Sequence, residues 1–431
     1  MRDAALRQPR LAAAGRVLDR PDAEPVLAPP GERGPRSACG VTLARGFRAS
    51  GIHCGIRRRR PDLALIVSDR PAAAAAVFTR SLAQAAPILV SRNALAASGG
   101  IARAVVVNAG NANACTGEPG LLNARRTTAR VAELLGLPVE QVLVASTGVI
   151  GQQLPIDCVL GGLPRAARSL SRSGGEAAAR AILTTDLHTK LASRAVRTER
   201  GSFTVGGMAK GSGMIHPDMA TTLGFVTTDA AIDPALLREC LLRATGVSFN
   251  RITVDGDTST NDMVAVLANG ASGIEVRRPG TAPFEKALTA VLTDLARMVV
   301  RDGEGATKLI AVTVEGAPTE AEALRVARTI AGSPLVKTAV HGADANWGRI
   351  VAAASRAGVT LDPGRLTVAL GGVIVLEPGY VSRFSEADAK LALEQDEVTL
   401  TVGLGLGAAR ATVWTCDLTA GYVAINAGYR S

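Results

Sequence analysis

Apolar positions along the chain follow two interleaved rhythms, and together they predict a mixed α/β protein. Short β-branched runs at 63–67, 87–90, 104–107 and 142–145 read as strands. Apolar residues spaced three and four apart over Leu121–Leu137 and Cys158–Arg172 predict amphipathic helices. The second half repeats the mixture: helical patterns at 233–245, 284–300, 318–331 and 346–356, strand patterns at 309–314, 366–376, 397–402 and 411–416. Helix and strand alternate throughout, so the class is α/β or α+β. No short internal repeat is present.

Two stretches break the rhythm. Residues 1–39 hold six of the 21 prolines, with many Arg, Asp and Glu and few large apolar side chains, which predicts a poorly ordered extension. The globular pattern starts at Gly40. In the middle, Met208–Ala230 has neither period. Gly211 and Gly213 free the backbone, Pro217 stops a helix, and Ala220, Thr221 and Thr222 lead into an apolar strand. This is a turn feeding a strand whose start carries hydroxyl groups.

Composition narrows the function classes. A chain of 431 residues, 47% hydrophobic and 20% charged, has ample material for a core and is not a disordered chain. The longest uncharged stretch, 141–156, contains Gln, Ser, Thr and Pro, so no membrane partner is expected. The N-terminus lacks a continuous apolar segment, which predicts no secretory signal and a cytoplasmic protein. Six cysteines show no C-x-x-C pair and no metal spacing, so reduced thiols and no metal site are expected. The net charge of +10 comes mostly from arginine, since only six of 48 basic residues are lysine. With abundant Ala and Gly, that bias points to a GC-rich coding sequence rather than a selected surface. The one dense basic run, Arg57–Arg60, lies just before a predicted strand and reads as a solvated loop. Aromatics are 3%, so stacking platforms are scarce and no nucleic-acid partner is expected.

Familiar catalytic patterns are absent. None of the four histidines accompanies a G-x-S-x-G elbow, and no H-E-x-x-H occurs. Val107–Gly117 follows a strand but lacks the glycine spacing of a dinucleotide site and the lysine of a phosphate loop, so it reads as structural. Ser146–Gly151 gathers hydroxyls and backbone amides at a glycine turn, which suits either a satisfied turn or an oxyanion hole. The central segment allows one further chemistry. A threonine becomes a nucleophile when its own free α-amine, of pKa about 7.7–8.0, acts as the base. That requires the chain to be cut just before it. From the residues alone, this reading stands beside a plain inter-domain loop.

From about Gly40 to Ser431 the chain resembles the ornithine acetyltransferase family, the bifunctional glutamate N-acetyltransferases of arginine biosynthesis. Six segments carry the resemblance, in order: Ala145–Gly151, Lys210–Thr221, Val254–Asp262, Asp302–Lys308, His341–Arg349 and Tyr422–Ser431. The resemblance implies a self-cleaving N-terminal-nucleophile enzyme with β-sheets packed between helices. It implies cleavage between Ala220 and Thr221, giving portions 40–220 and 221–431, and a pair of cleaved protomers, α2β2. Thr221 is then the nucleophile, carrying the acetyl group from N-acetylornithine to glutamate as a threonine ester. Thr147 and Gly148 stabilise the oxyanion. Thr184, Lys210, Glu304, Asn426 and Ser431 contact the substrate, Glu304 at its α-amino end. No cofactor is bound, and acetyl-CoA is a second acetyl donor if the enzyme is bifunctional. The rival on the same scaffold is an aminopeptidase or a secondary-metabolism paralogue. The chain departs from the family at Thr222, where Met is common, and at Asp218, Gly428 and Ser431. His216 and Asp218 read as structural.

Overall fold

The computed structural model describes residues 39–216 and 222–428. The extension 1–38 and the predicted site residues Ala220, Thr221 and Ser431 lie outside the described residues. The chain divides into two compact units, which the described residues occupy as 39–309 with 413–428, and as 310–412.

The larger unit opens with β1 (Phe47–Ile52), β2 (Leu63–Phe78), α1 (Ala86–Ala97), β3 (Ile101–Asn111), α2 (Gly117–Leu135), β4 (Val142–Val149), α3 (Ile156–Arg168) and α4 (Gly175–Ala181). It continues through β5 (Lys190–Thr198), β6 (Gly201–Lys210), β7 (Leu223–Thr228), β8 (Ala231–Ile232), α5 (Pro234–Gly246), β9 (Met263–Ala268), β10 (Glu275–Val276) and α6 (Ala282–Arg301). Eight strands join in the order β4-β3-β2-β9-β7-β6-β5, with β1 also on β2. β2 is the link between two layers. Its first part pairs with β1 and β3, the exposed Asp69-Arg70-Pro71 interrupts the register, and its last part pairs with β9.

Side-chain alternation shows how the layers stack. On β2, β3 and β4, Leu63, Leu65, Val106 and Val144 face α2 and α3, packing on Val131, Val159 and Leu163. Their neighbours Ile66, Val105, Val107 and Leu143 face the other way, meeting Leu223, Phe225, Met263 and Leu267 of β7 and β9. The opposite side of β7 and β9, Val226, Val264 and Val266, packs on Leu237 and Leu241 of α5 and on Leu288 and Leu295 of α6. The unit is therefore helix, sheet, sheet, helix, and its strands are buried on both faces, which is why they read as continuous apolar runs.

The smaller unit holds most of β11 (Leu309–Ala317), then α7 (Glu320–Ala331), α8 (Pro334–His341), α9 (Trp347–Ser355), β12 (Thr367–Leu370), β13 (Val373–Leu376), α10 (Glu386–Leu393), β14 (Glu397–Gly403) and the start of β15 (Ala409–Cys416). Its sheet runs β13-β12-β14-β11-β15. The chain then returns to the larger unit as α11 (Ala420–Gly428).

Two expectations are corrected. The run at 87–90 is not a strand but the first turns of α1, where Pro87 occupies an early helical position that needs no N–H donor. A four-residue apolar run cannot by itself distinguish the two states. The stretch 366–376 is not one strand but a hairpin, turned by Gly371 and Gly372 at φ +57° and +93°.

Candidate active site

One cavity in the larger unit gathers the ends of elements from both sheet layers. Its lining includes Thr147 and Gly148 from the end of β4, Thr184 from the α4–β5 loop, Lys210 from the end of β6, Glu304 from the loop after α6 and Asn426 from α11. Six of the residues named from the sequence thus line one cavity. Thr222, the residue that follows Thr221 in the chain, lines it too.

Lys210 is its organising cation. β6 and β7 are antiparallel neighbours with Lys210 opposite Leu223, so the segment 211–222 connects two paired strand ends. The Lys210 side chain is buried, and its Nζ donates to Thr184 Oγ1 at 2.7 Å and to Thr147 Oγ1 at 3.2 Å. An ammonium has only donors, so each hydroxyl oxygen accepts; Thr184 Oγ1 in turn donates to Asp186 Oδ2 at 3.5 Å, and the Thr147 hydrogen is left for another acceptor. Burial pushes the Lys210 ammonium pKa down, as does the nearby Lys190, while Asp186 opposes both.

Asp186 fixes this arrangement from below. Its Oδ1 accepts from Gly211 N at 2.7 Å and from Lys190 Nζ at 2.7 Å, while Oδ2 accepts from Thr184 N at 2.9 Å and lies 3.9 Å from Lys210 Nζ. Burial pushes this carboxyl up, but Lys210, Lys190 and these hydrogen bonds outweigh it and hold it well below the ordinary carboxylate range. Lys190 is itself fully buried and bridges onward to Asp302 Oδ2 at 2.5 Å. Asp302 Oδ2 also accepts from the backbone N–H groups of Leu187 and His188. The result is a buried chain of alternating charges beneath the hydroxyl pair.

Gly148 is where β4 leaves ordinary strand geometry. It has φ +132°, and a Cβ there would lie 2.3 Å from Gly110 C and 2.5 Å from Asn111 N, so only glycine fits. Asn261 ties the layers together across this point, its Nδ2 donating to Ala112 O at 2.6 Å and Ser146 O at 2.9 Å. On the far wall, Asn426 Nδ2 donates to Glu304 Oε2 at 2.8 Å, and a Cβ at Gly213 would strike that carboxylate. Tyr422 lines the same wall, its phenol pushed up to about 12 by burial and by the neighbouring Asp255 and Glu304. Asp255 accepts from Met214 N at 2.7 Å and Ile215 N at 2.9 Å, pinning the backbone that precedes the cavity's connecting segment. His216 meets Thr253 Oγ1 at 3.0 Å through Nδ1, which fits its structural reading.

Several residues of the site carried no assigned role in the sequence. Asp186, Asp255, Asn261 and Asp262 are polar residues scattered through loops, and Lys190 begins β5; none carries a periodic signal. Val254–Asp262 was visible as a motif, and it supplies three of them. The basic run also looks different in place. Arg58–Arg60 are exposed, as expected of a solvated loop, but Arg57 turns inward and donates to Leu183 O at 2.6 Å and Thr184 O at 3.2 Å. Among the described residues, no three His, Cys, Asp or Glu side chains converge as metal ligands would, and no helix is long and apolar enough to cross a membrane.

Residues 48–431 match the model of the ArgJ family. The arginine biosynthesis bifunctional protein ArgJ of Chlorobaculum tepidum is 49% identical over 413 residues, covering 94% of this chain and all of that protein. The protein of the same name from Symbiobacterium thermophilum is 51% identical over 400 residues, covering 91% and 99%. Among solved structures, ornithine acetyltransferase from Mycobacterium tuberculosis, complexed with ornithine, is 41% identical; it covers 42% of this chain and 96% of its own, with a TM-score of 0.40.

Proposed function

The chain belongs to the ArgJ family, and from that premise we propose that it moves an acetyl group from N2-acetyl-L-ornithine to L-glutamate, in arginine biosynthesis, through an acetyl ester on Thr221. The observation that carries this reading is the convergence of Thr147, Gly148, Thr184, Lys210, Glu304 and Asn426 on the cavity that Thr222 also lines.

Maturation comes first. The Thr221 hydroxyl attacks the Ala220 carbonyl, the amide becomes an ester, and water resolves it, leaving fragments 1–220 and 221–431 with a free amine on Thr221. That amine then takes the hydroxyl proton as Thr221 attacks the acetyl carbonyl. The oxyanion is stabilised by the Gly148 N–H and the Thr147 hydroxyl. Lys210 supports the second of these: by donating to Thr147 Oγ1 it leaves the hydroxyl hydrogen available and makes it a stronger donor. Thr184 and Lys210 hold the substrate on one side and Glu304 and Asn426 on the other, with the Glu304 carboxylate receiving an amino group; Ser431 is assigned to substrate binding as well. Ornithine leaves, glutamate's amine attacks the ester, and N-acetylglutamate is released. The cycle uses no metal and no bound cofactor. The curated relatives are named bifunctional, which supports acetyl-CoA as a second donor. We assign a cytoplasmic α2β2 assembly of cleaved protomers.

Intact-mass analysis and N-terminal sequencing test the reading. Purified protein should give two fragments, the C-terminal one starting Thr-Thr-Leu-Gly-Phe. Brief exposure to N-acetylornithine without glutamate should add one acetyl group to that fragment. Thr221→Ala should stay whole and inactive, and Thr222→Ala should be cut and active. A fragment starting at Thr222, or an active Thr221→Ala enzyme, overturns the assignment.

A further inference from the structure

We propose that Asp262 is a catalytic acid–base of this site: its carboxyl gives a proton to the nitrogen that leaves the acetyl group and takes one from the ammonium of the incoming acceptor. The inference rests on the acetyl-transfer reading and adds a residue to it.

Asp262 stands at the entry to β9, one position before Met263, which pairs with Leu223 and donates its N–H to Thr222 O at 2.9 Å. The carboxyl therefore stands beside the start of β7, where the cut chain begins. It lines the cavity and is 3% exposed, yet its Oδ2 has no hydrogen-bond partner among the described residues. The neighbouring Thr222 Oγ1 is in the same condition. Buried polar atoms are almost always paired, so two orphans at one cavity wall mark where a polar ligand group belongs. Lys210 Nζ donates to Thr147 and Thr184 and makes no hydrogen bond to Asp262 Oδ2. Burial also pushes the Asp262 carboxyl well above its ordinary value, outweighing hydrogen bonds from Ser259 and the charge of Lys210. The other titratable groups lining the cavity are Asp255, Asp257, Glu304 and Tyr422. A carboxyl shifted toward neutrality suits proton transfer in both directions.

The proton balance closes. In the first half, the C–N bond of the acetyl amide breaks as the Thr221 ester forms. The hydroxyl proton rests on the Thr221 α-amine and the Asp262 proton passes to the leaving nitrogen, whose amine gains a further proton from water on release. In the second half, the incoming ammonium returns a proton to Asp262, its nitrogen attacks the ester, and the Thr221 oxygen recovers its proton from the α-ammonium. The last N–H proton leaves to water. One acetyl group and no net proton has moved.

The test compares two acetyl donors without glutamate, with rates normalised to cut chain. N-acetylornithine needs its leaving nitrogen protonated, whereas p-nitrophenyl acetate expels a phenolate that needs no proton. In Asp262→Asn the ratio of ester to amide acetylation rates should rise by roughly 10²–10⁴. A ratio equal to wild type, whether both rates fall together or neither falls, overturns the proposal. The wild-type enzyme supplies a second measurement should Asp262→Asn fold poorly. Its acetylation by N-acetylornithine should decline on an alkaline limb that the ester donor lacks, the α-amine limb being common to both. Identical profiles overturn the role of Asp262 alone. A wild-type enzyme acetylated by the ester and never by N-acetylornithine overturns the transfer reading, and this inference with it.

Discussion

Replacing Lys190 with methionine should destabilise the protein strongly at neutral pH and less in acid. The lysine lies between Asp186 at 2.7 Å and Asp302 at 2.5 Å, with about 1% of its side chain exposed. Methionine fills similar volume, so the loss is of charge rather than packing. Breaking a buried ion pair by removing one partner costs about 3–5 kcal/mol, because the remaining charge stays buried without compensation. In a unit of this size that corresponds to a fall in Tm of roughly 6–20 °C. The pH dependence separates this cause from simple misfolding. In the wild type the Asp186 carboxyl is held low, so its contribution is present above the unfolded carboxylate value of about 3.9 and is lost only as pH falls through the lower folded value. In Lys190→Met one of the influences holding it low is gone, while burial, Lys210 and the backbone donors remain, so its folded value rises and the stability it contributes at neutral pH shrinks. Acidification then costs the variant less than the wild type. Thermal unfolding of both proteins, at matched concentration from about pH 7.5 to about pH 3, should show the gap narrowing as pH falls. A gap below about 1 kcal/mol at neutral pH, or one that widens on acidification, would refute the charge-network reasoning.

Three further outcomes follow from the site. Thr147→Val removes the hydroxyl that accepts from Lys210 and should lower acetyl-transfer turnover by roughly 10²–10³ in steady-state kinetics, with chain folding intact by circular dichroism. Gly148→Ala forces a Cβ to 2.3 Å from Gly110 C at φ +132°, so thermal scans should show a destabilised enzyme, and a wild-type Tm would contradict the close approach. Arg57→Met removes two hydrogen bonds to the Leu183 and Thr184 carbonyls, and should raise KM more than it lowers kcat if Thr184 has the substrate-binding role proposed for it.

The legible part of the fold was the part that periodicity controls. α6, with one face packed on β5 and β6, was visible as a helix at 284–300 and spans Ala282–Arg301. Strands β3, β4 and β11 were visible as β-branched runs. The hairpin β5–β6 was not, because Arg194, Arg197, Ser202 and three glycines interrupt its apolar pattern. The site shows the same division. Residues in quoted motifs, such as Lys210 and Glu304, came together in one cavity. Asp186 was hidden because its importance lies in what it accepts: two backbone N–H groups and a buried lysine, which become its neighbours only after folding. Arg57 was hidden inside a run whose other three members do point to solvent.

The order β2-β9-β7-β6 has a consequence for the history of the molecule. β2 and β6 precede the proposed cleavage point in the chain, and β7 and β9 follow it, so on that reading two strands of the second product lie between strands of the first. Before the cut, the connection 211–222 keeps β6 and β7 close and makes their pairing a local event, with a small entropy of loop closure. After the cut, the same pairing is a meeting of two molecules. Folding must therefore precede cleavage, and the mature protein no longer carries the covalent memory of how it was built. Uncut Thr221→Ala should regain its structure after denaturation at any dilution, while the cut enzyme should refold only as concentration allows. Cleavage makes maturation a one-way step, and the working enzyme is then kept by the height of its unfolding barrier.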